Sequence, residues 1–403
     1  MMNDFCFDPL DPVVWQNPWP YFARGRDEFP AYRHEDTLAR SVSVFRHADA
    51  VAILKDWETF SSSIPADMNM NEGGLGELGS LMVVDPPEHT RLRNHVRGAF
   101  SLASVKSYAA TVERLADEIL DELLERGTFD LTADYAGQLT ARTILTILGL
   151  PASDWRRMRE WTVRGAANVT RSHFVREAEP EADRSVEAIF SEMAAYLDDF
   201  VGQADALAEG SLLRSLVQAA PGDRLSPFEL RALTALTLLA GNETTTTLIA
   251  GAVLTLEQRP DQARALRAEP ELAASAVEET LRFRPPVPGI PRRATRSLTL
   301  HGVEIAKDDN IVVWLASANR DPRVFSEPDR FDIRRGVSPQ TISFGNGVHT
   351  CLGMPLARLE GRIGLERLYR RTRAIELLEP NPPLVIAPGV YAFERLPVRV
   401  TPV

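Results

Sequence analysis

The chain has 403 residues, 44% hydrophobic and 25% charged, enough apolar material to bury a sizeable core. Its formal net charge of −11 excludes nucleic-acid binding as the main activity, because neutralising phosphates takes a basic surface. Two cysteines, Cys6 and Cys351, are too few for a disulfide scaffold and suit a reducing cytoplasm, and no stretch nears the ~20 apolar residues of a membrane span.

The first twelve residues carry acids and prolines where a signal peptide needs a positive stretch and an apolar run. Over roughly the first hundred residues, short apolar runs such as 41–45 mix with prolines and helical pieces, which predicts a small sheet. From 101 to 283 helical periodicity dominates, with apolar residues recurring three and four apart over 112–124, 133–150, 186–201 and 227–256. The last of these reads as a buried central helix, since Glu243 is its only charge between Leu233 and Leu254. After Pro285 short alternating runs return at 298–305 and 311–314, followed by turn-rich sequence. No repeat, linker or composition break divides the chain. A single domain over 1–403 is expected: a β-containing part to about 100, a helical core over about 101–283, and a β- and turn-rich region over about 284–403. The fold class is mainly α with small β-sheets.

Near the C-terminus stands Phe344-Gly-Asn-Gly-Val-His-Thr-Cys351-Leu-Gly353. Gly345 and Gly347 let the backbone approach a flat partner closely, and Gly353 leaves room on the other side. Pro355 falls in the first turn of the helix that follows, where its missing N–H costs little. Cys351 is thus expected at a helix N-terminus, where N–H groups and the dipole favour thiolate and dispose the sulfur to be an anionic ligand or a nucleophile. The pattern F-x-x-G-x-x-x-C-x-G, filled at Phe344, Gly347, Cys351 and Gly353, resembles the haem-thiolate loop of the cytochrome P-450 superfamily.

Four further segments extend the resemblance from about Asp85 to Glu360. In the long helix, Ala240-Gly241-Asn242-Glu243 precedes four threonines, poor helix formers whose hydroxyls can turn back onto carbonyls. Taken alone, these threonines could satisfy one another while Gly241 permits close packing. They resemble the A-G-x-(D/E)-T-T run of the family, which implies a kinked helix over the distal haem face. Thr244 would then hydrogen-bond dioxygen and Glu243, with solvent, would relay the protons that heterolytic O–O cleavage requires. Glu279 and Arg282 share a helix face and resemble the family's E-x-x-R, followed by Pro285-Pro286. The segment 328–335 resembles the meander that supplies their third partner, with Arg335 the best match and Arg334 beside it. An arginine fork on a carboxylate would brace the cysteine loop rigidly. His89 and Arg93, four apart, together with His349 and Arg292, match positions that meet the haem propionates; Arg293 doubles Arg292, leaving two candidates there.

The resemblance implies a triangular helical prism with haem b, iron protoporphyrin IX, held between the long helix and the cysteine-loop helix. Cys351 would be the axial thiolate, and the reaction the insertion of one atom of O2 into a hydrophobic small organic substrate. With no flavin or nicotinamide fingerprint, electrons are expected from a separate ferredoxin or flavodoxin-type donor, docking on a basic patch drawn from Arg91, Arg97, Lys106, Arg358 and Arg362. A monomer is expected. Pocket-lining segments would be 64–75, with Met68, Met70 and Leu75, then Val287, Gly289 and Ile290, Ala240, and finally Tyr391 and Phe393, mostly apolar. Glycines at 73, 74, 76 and 79, and the stretch 171–183, would form entrance loops, and Arg293 could meet a substrate carboxylate. A peroxide-using haem-thiolate enzyme or a non-hydroxylating haem protein is the alternative, against which Glu243 and Thr244 argue. A magnesium-dependent helical lyase lacks support, because Asp198-Asp199 has no third acid at the required spacing.

Overall fold

The computed structural model describes residues 5–34, 41–63, 81–163, 180–219, 224–385 and 389–403. Seven helices position the site. The first, α1 (Glu88–Val96), leads into α2 (Leu102–Arg126), which begins where the Ser101 hydroxyl accepts the Ser104 N–H and stops at left-handed Gly127. A π turn over Leu131–Ala136, capped by the Asp130 carboxylate, feeds α3 (Gly137–Leu148), so the helix expected over 133–150 opens irregularly. Then come α4 (Pro180–Val201) and α5 (Pro227–Glu257).

Helix α5 has 31 residues and is therefore about 46 Å long. Ser226 and Glu229 form a reciprocal capping box with Pro227 at the first position. Its apolar residues lie on every side, so nearly all of its second half is buried, and each fully buried Leu, Ile or Val contributes roughly 1.5–3 kcal/mol. Helix α6 (Ala273–Phe283) ends before Pro285, and α7 (Met354–Arg371) carries Pro355 in its first turn. Helix α7 packs closely on its neighbours because a Cβ at Gly361 would lie 3.1 Å from Val277 of α6, and one at Gly364 would lie 3.2 Å from Ile249 of α5.

The strands in chain order are β1 (Ala31–Arg33), β2 (Val42–Val44), β3 (Phe60–Ser61), β4 (Thr128–Asp130), β5 (Ile290–Ala294), β6 (Leu298–Leu300), β7 (Val303–Ile305), β8 (Asn310–Val313), β9 (Thr372–Leu377) and β10 (Pro397–Pro402). A five-stranded sheet runs β1-β2-β8-β5-β3, antiparallel except for the β2–β8 pair, where Val44 stands opposite Val313. This pairing joins the N-terminal part of the chain to the region after α6. A second sheet, β4-β10-β9, ties the C-terminal strand to the turn before α3, and β6–β7 is a hairpin. One apolar cluster gathers α2, α5, α6 and α7 with an aromatic group near the N-terminus, in which Phe7 meets Trp314 edge-on at 5.3 Å. A second lies among α1, α3, α4 and the first half of α5.

Candidate active site

At its middle, helix α5 presents an accessible stripe that ends where the buried second half begins. Ala240 is exposed, and Gly241 and Thr244 are half-buried, whereas Asn242, Glu243 and residues 245–256 are buried. Residues 240, 241 and 244 share a face. The local polar sequence is satisfied sideways: Asn242 donates to Thr162 at 2.9 Å and accepts from Thr140 at 2.6 Å, locking α5 against α3. A Cβ at Gly241 would lie 3.3 Å from Ile144, so its lack of side chain permits that contact. The Thr244 hydroxyl donates to the Ala240 carbonyl at 2.8 Å, the back-bond expected of a threonine inside a helix. The helix nevertheless runs unbroken from Pro227 to Glu257. The Glu243 carboxyl keeps one oxygen, Oε2, buried without a partner, and burial pushes it up from the usual carboxylate range against the pull of Arg159.

The cysteine loop is held by its own backbone. The Cys351 N–H donates to the Phe344 carbonyl at 2.8 Å, and Gly345 and Gly347 adopt φ of 73° and 78°. Gly347 has a further constraint: a Cβ there would collide with the Leu54 carbonyl oxygen, so its close approach is to the backbone at 54–55. Gly353 caps α7, and a Cβ there would sit 3.9 Å from the Cys351 Sγ. Cys351 is accessible to a water-sized probe although protein surrounds it, so that surface faces an interior space. Burial pushes its thiol up, opposed by the N–H groups of Gly353 and Met354 and by Arg93 and Arg358. The helix end expected from the sequence does act on this thiol, through those N–H groups, while desolvation acts against it, and a cation bound to the sulfur would favour the thiolate.

Beside the loop lies a group of cationic and imidazole side chains. The rings of His89 and His349 are 4.1 Å apart, with His89 Nδ1 and His349 Nε2 both buried and unpartnered. Arg93 donates to the Thr350 carbonyl at 2.7 Å. Arg292, 7% exposed, donates among the described residues only to the carbonyl of Pro291, and burial brings its guanidinium down to about 10. Burial pushes His349 down to about 3, with His89, Arg292 and Arg93 adding to the effect. Among the described residues the acid nearest this group is Asp85, 3.9 Å from His349, which also holds Ser61 and Ser62; the sequence analysis gave it no role. A site this poor in negative charge, with unpartnered nitrogens around it, fits a dianionic group such as the haem's two propionates. Cys351 would supply the anionic ligand for its iron.

The arginine pair resolves by strand geometry. Arg292 and Arg293 alternate faces of β5; Arg293 points away from the site to Ser63 and Asp308, so it reaches neither propionate nor substrate carboxylate here. The brace resolves too. Glu279 and Arg282, each 1% exposed, are joined by two 2.8 Å bonds, and Arg335 adds a third at 3.2 Å. Arg334 pairs instead with Glu269. Arg282 and Arg335 also grip the carbonyls of residues 326–330, and the Asn319 side chain accepts from Ile342 N–H at the head of the loop.

Among the expected pocket residues, Val287 and Ile290 are half-buried, and Ile290 approaches within 3.7 Å of the Cβ position of Gly345. Gly289 is corrected: a Cβ there would meet Trp314 at 2.9 Å, so it packs into the core. Tyr391 and Phe393 are corrected likewise, since both are buried in the core, with the Tyr391 hydroxyl donating to the Trp15 carbonyl at 3.1 Å. Met68, Met70, Leu75, the glycines at 73–79 and the stretch 171–179 lie outside the described residues. In the basic patch, Arg91 pairs with Glu88 and Glu229, Arg362 with Glu366, and Arg358 with Glu278 through bonds of 2.5 and 3.0 Å. Arg97 and Lys106 are exposed. Asp198 pairs with Arg231. Among the described residues no helix is long and apolar enough to cross a membrane.

The family profile described as Cytochrome P450 matches residues 171–382. A putative cytochrome P450 123 of Mycobacterium tuberculosis is 33% identical over 400 residues, covering 98% of this chain and 97% of that one. The vitamin D(3) 25-hydroxylase of Pseudonocardia autotrophica is 34% identical over 407 residues, covering 98% and 96%. Among solved structures, CalO2 superposes with a TM-score of 0.88 at 30% identity over 99% of both chains. P450BioI, solved in complex with a hexadec-9Z-enoic acid-ligated acyl carrier protein, gives 0.87 at 27% identity over 97% of this chain and 99% of that one. The chain therefore belongs to the cytochrome P450 family of bacteria, haem b monooxygenases that use O2 and electrons from a redox partner.

Proposed function

We propose that Cys351 is the axial thiolate of the haem, that Arg93, Arg292, His89 and His349 receive its propionates, and that the substrate is a hydrophobic small organic molecule oxidised on the α5 side. The observation that carries this reading is the accessible stripe of Ala240, Gly241 and Thr244, directly before a stretch of the helix, 245–256, that is buried on every side, together with the enclosed but accessible Cys351 sulfur. When bound, the haem would supply the activation of dioxygen, one atom of which enters a C–H bond while the other leaves as water, with two electrons from the redox partner and two protons.

The chain's own residues would then do the following. Arg93 ties the propionate cluster to the cysteine loop through the Thr350 carbonyl, so binding at one fixes the other. The half-buried Val287 and Ile290, with Ala240, present an apolar wall that excludes water and orients the substrate. Thr244 spends its proton on the Ala240 carbonyl and keeps its lone pairs free to accept one from solvent. Glu243, whose carboxyl burial pushes up and whose Oε2 has no partner, is placed to pass a proton onward. The presence of both favours O2 activation over a peroxide-using alternative. The electron donor would be an acidic ferredoxin or flavodoxin-type protein meeting Arg97 and Lys106, and the chain would work in the cytoplasm as a monomer. Replacing Thr244 with alanine and measuring oxygen consumed per product formed tests the relay. Consumption should continue while product falls, and a fully coupled variant would refute the assignment.

A further inference from the structure

Four arginines gather where α6 ends against the second half of α5: Arg259, Arg282, Arg284 and Arg320. Three are accounted for. Arg282 holds Glu279, Arg320 donates to the Phe283 carbonyl at 2.6 Å and to Asp329, and Arg259 donates to the Thr255 carbonyl at 3.0 Å. Arg284 is different. Its guanidinium has no hydrogen bond or ion pair among the described residues, and its Nε is buried and unpartnered. Its contacts are aromatic faces, Tyr391 at 4.6 Å and Phe393 at 5.0 Å, and its Cδ lies 3.6 Å from the Cβ position of Gly251. Burial pushes its guanidinium down, with the Tyr391 hydroxyl opposing and another cation, Arg259, adding to the effect. Protein surrounds Arg284, yet the residue is only half-buried to a water-sized probe, the same combination that marks Cys351 as facing an interior space.

A cation inside a protein is ordinarily paired, because burial without a counter-charge is costly and two aromatic rings offset only part of it. Arg284 stands on the same connection between α6 and β5 as the half-buried Val287 and Ile290, and Ile290 borders the site, 3.7 Å from the Cβ position of Gly345. Gly251 is seven residues beyond Thr244 on α5, about 10 Å along the helix axis, a span that a medium-length alkyl chain covers.

We propose that Arg284 is the anion-recognising subsite of the interior cavity, and that the substrate class is amphipathic: an apolar chain ending in a carboxylate that pairs with Arg284 while a distant carbon lies beneath Thr244. This rests on the functional reading given above and narrows its substrate.

The test uses the haem-loaded protein, dodecanoate and dodecan-1-ol as probes, and the Arg284→Gln and Arg284→Lys variants. Equilibrium dialysis measures affinity without any haem readout, and the substrate-induced spin-state shift reports arrival at the haem. The wild type should bind the acid roughly thirtyfold or more tightly than the alcohol, and Arg284→Gln should bring the two to parity while Arg284→Lys keeps part of the preference. Equal affinity of the wild type for acid and alcohol would overturn the subsite, a result that needs no variant to fold. Undiminished acid preference in a folded Arg284→Gln would overturn it too. Acid preference in dialysis without thiolate-ligated haem in the carbon monoxide spectrum would support the subsite while refuting Cys351 ligation, so the two failures are separate.

Discussion

Replacing Glu279 with glutamine removes one charge from the most enclosed ion pair of the described residues. The carboxylate accepts four hydrogen bonds: two from Arg282 at 2.8 Å, one from Arg335 at 3.2 Å and one from the Asp332 N–H at 3.0 Å. Glutamine offers one oxygen and an NH2 group that faces an Arg282 nitrogen donor-to-donor. Arg282, 1% exposed, is left without counter-charge, and breaking a buried pair from one side costs about 3–5 kcal/mol. Arg335, with 18% of its side chain exposed, recovers water in compensation, which puts the loss near about 3 kcal/mol, more than a hundredfold in the unfolding equilibrium. Urea unfolding followed by circular dichroism, with the rate of haem loss at fixed temperature, reads this directly. Arg334→Ala is the control: its partner is Glu269 on the surface, and it should unfold like the wild type. Wild-type stability in Glu279→Gln, or equal damage from Arg334→Ala, would refute the brace.

Other consequences follow from single side chains. Glu360 of α7 is buried with both oxygens unpartnered, and burial holds its carboxyl well above its ordinary value of 4.5. Below about pH 4.5 the group is protonated in both states; above it only the unfolded state ionises, so stability should fall by about 1.4 kcal/mol per pH unit until the folded carboxyl also ionises. The difference between wild type and Glu360→Gln should show that slope, and a pH-independent difference would count against a protonated Glu360. Gly347→Ala, strained at φ 78° and driven into the Leu54 carbonyl, should lose haem during purification; full retention would contradict the packing of the loop. If Arg97 and Lys106 meet an acidic donor, charge reversal of both should slow electron delivery and flatten its dependence on ionic strength, with substrate binding unchanged; stopped-flow reduction with a ferredoxin would check this.

Much of this was legible in the sequence wherever the signal was local. The apolar run over 227–256 needed only its capping box to become α5 over Pro227–Glu257, and the strand expected over 41–45 became β2. The resemblance to the haem-thiolate family grouped Cys351, His89, Arg93, Arg292 and His349, and His89 with His349, and Arg93 with the cysteine loop, do meet in the fold. What the sequence could not settle depended on register or on distant partners. Adjacent arginines 292 and 293 point oppositely because strand side chains alternate, and the antiparallel pairing of β5 with β8 and with the distant β3 decides which of them faces inward. Tyr391 and Phe393 looked like pocket residues until the N-terminal Trp15 and the unpaired Arg284 were seen to cover them. The electrostatics of Cys351 turned on desolvation, which the sequence does not display.

The most direct measurement is the carbon monoxide difference spectrum of the reduced, haem-loaded protein, taken beside Cys351→Ala. A thiolate at Cys351 predicts the long-wavelength band of sulfur-ligated haem in the wild type and its absence in the variant; the same band in Cys351→Ala, or none in the wild type, would contradict it.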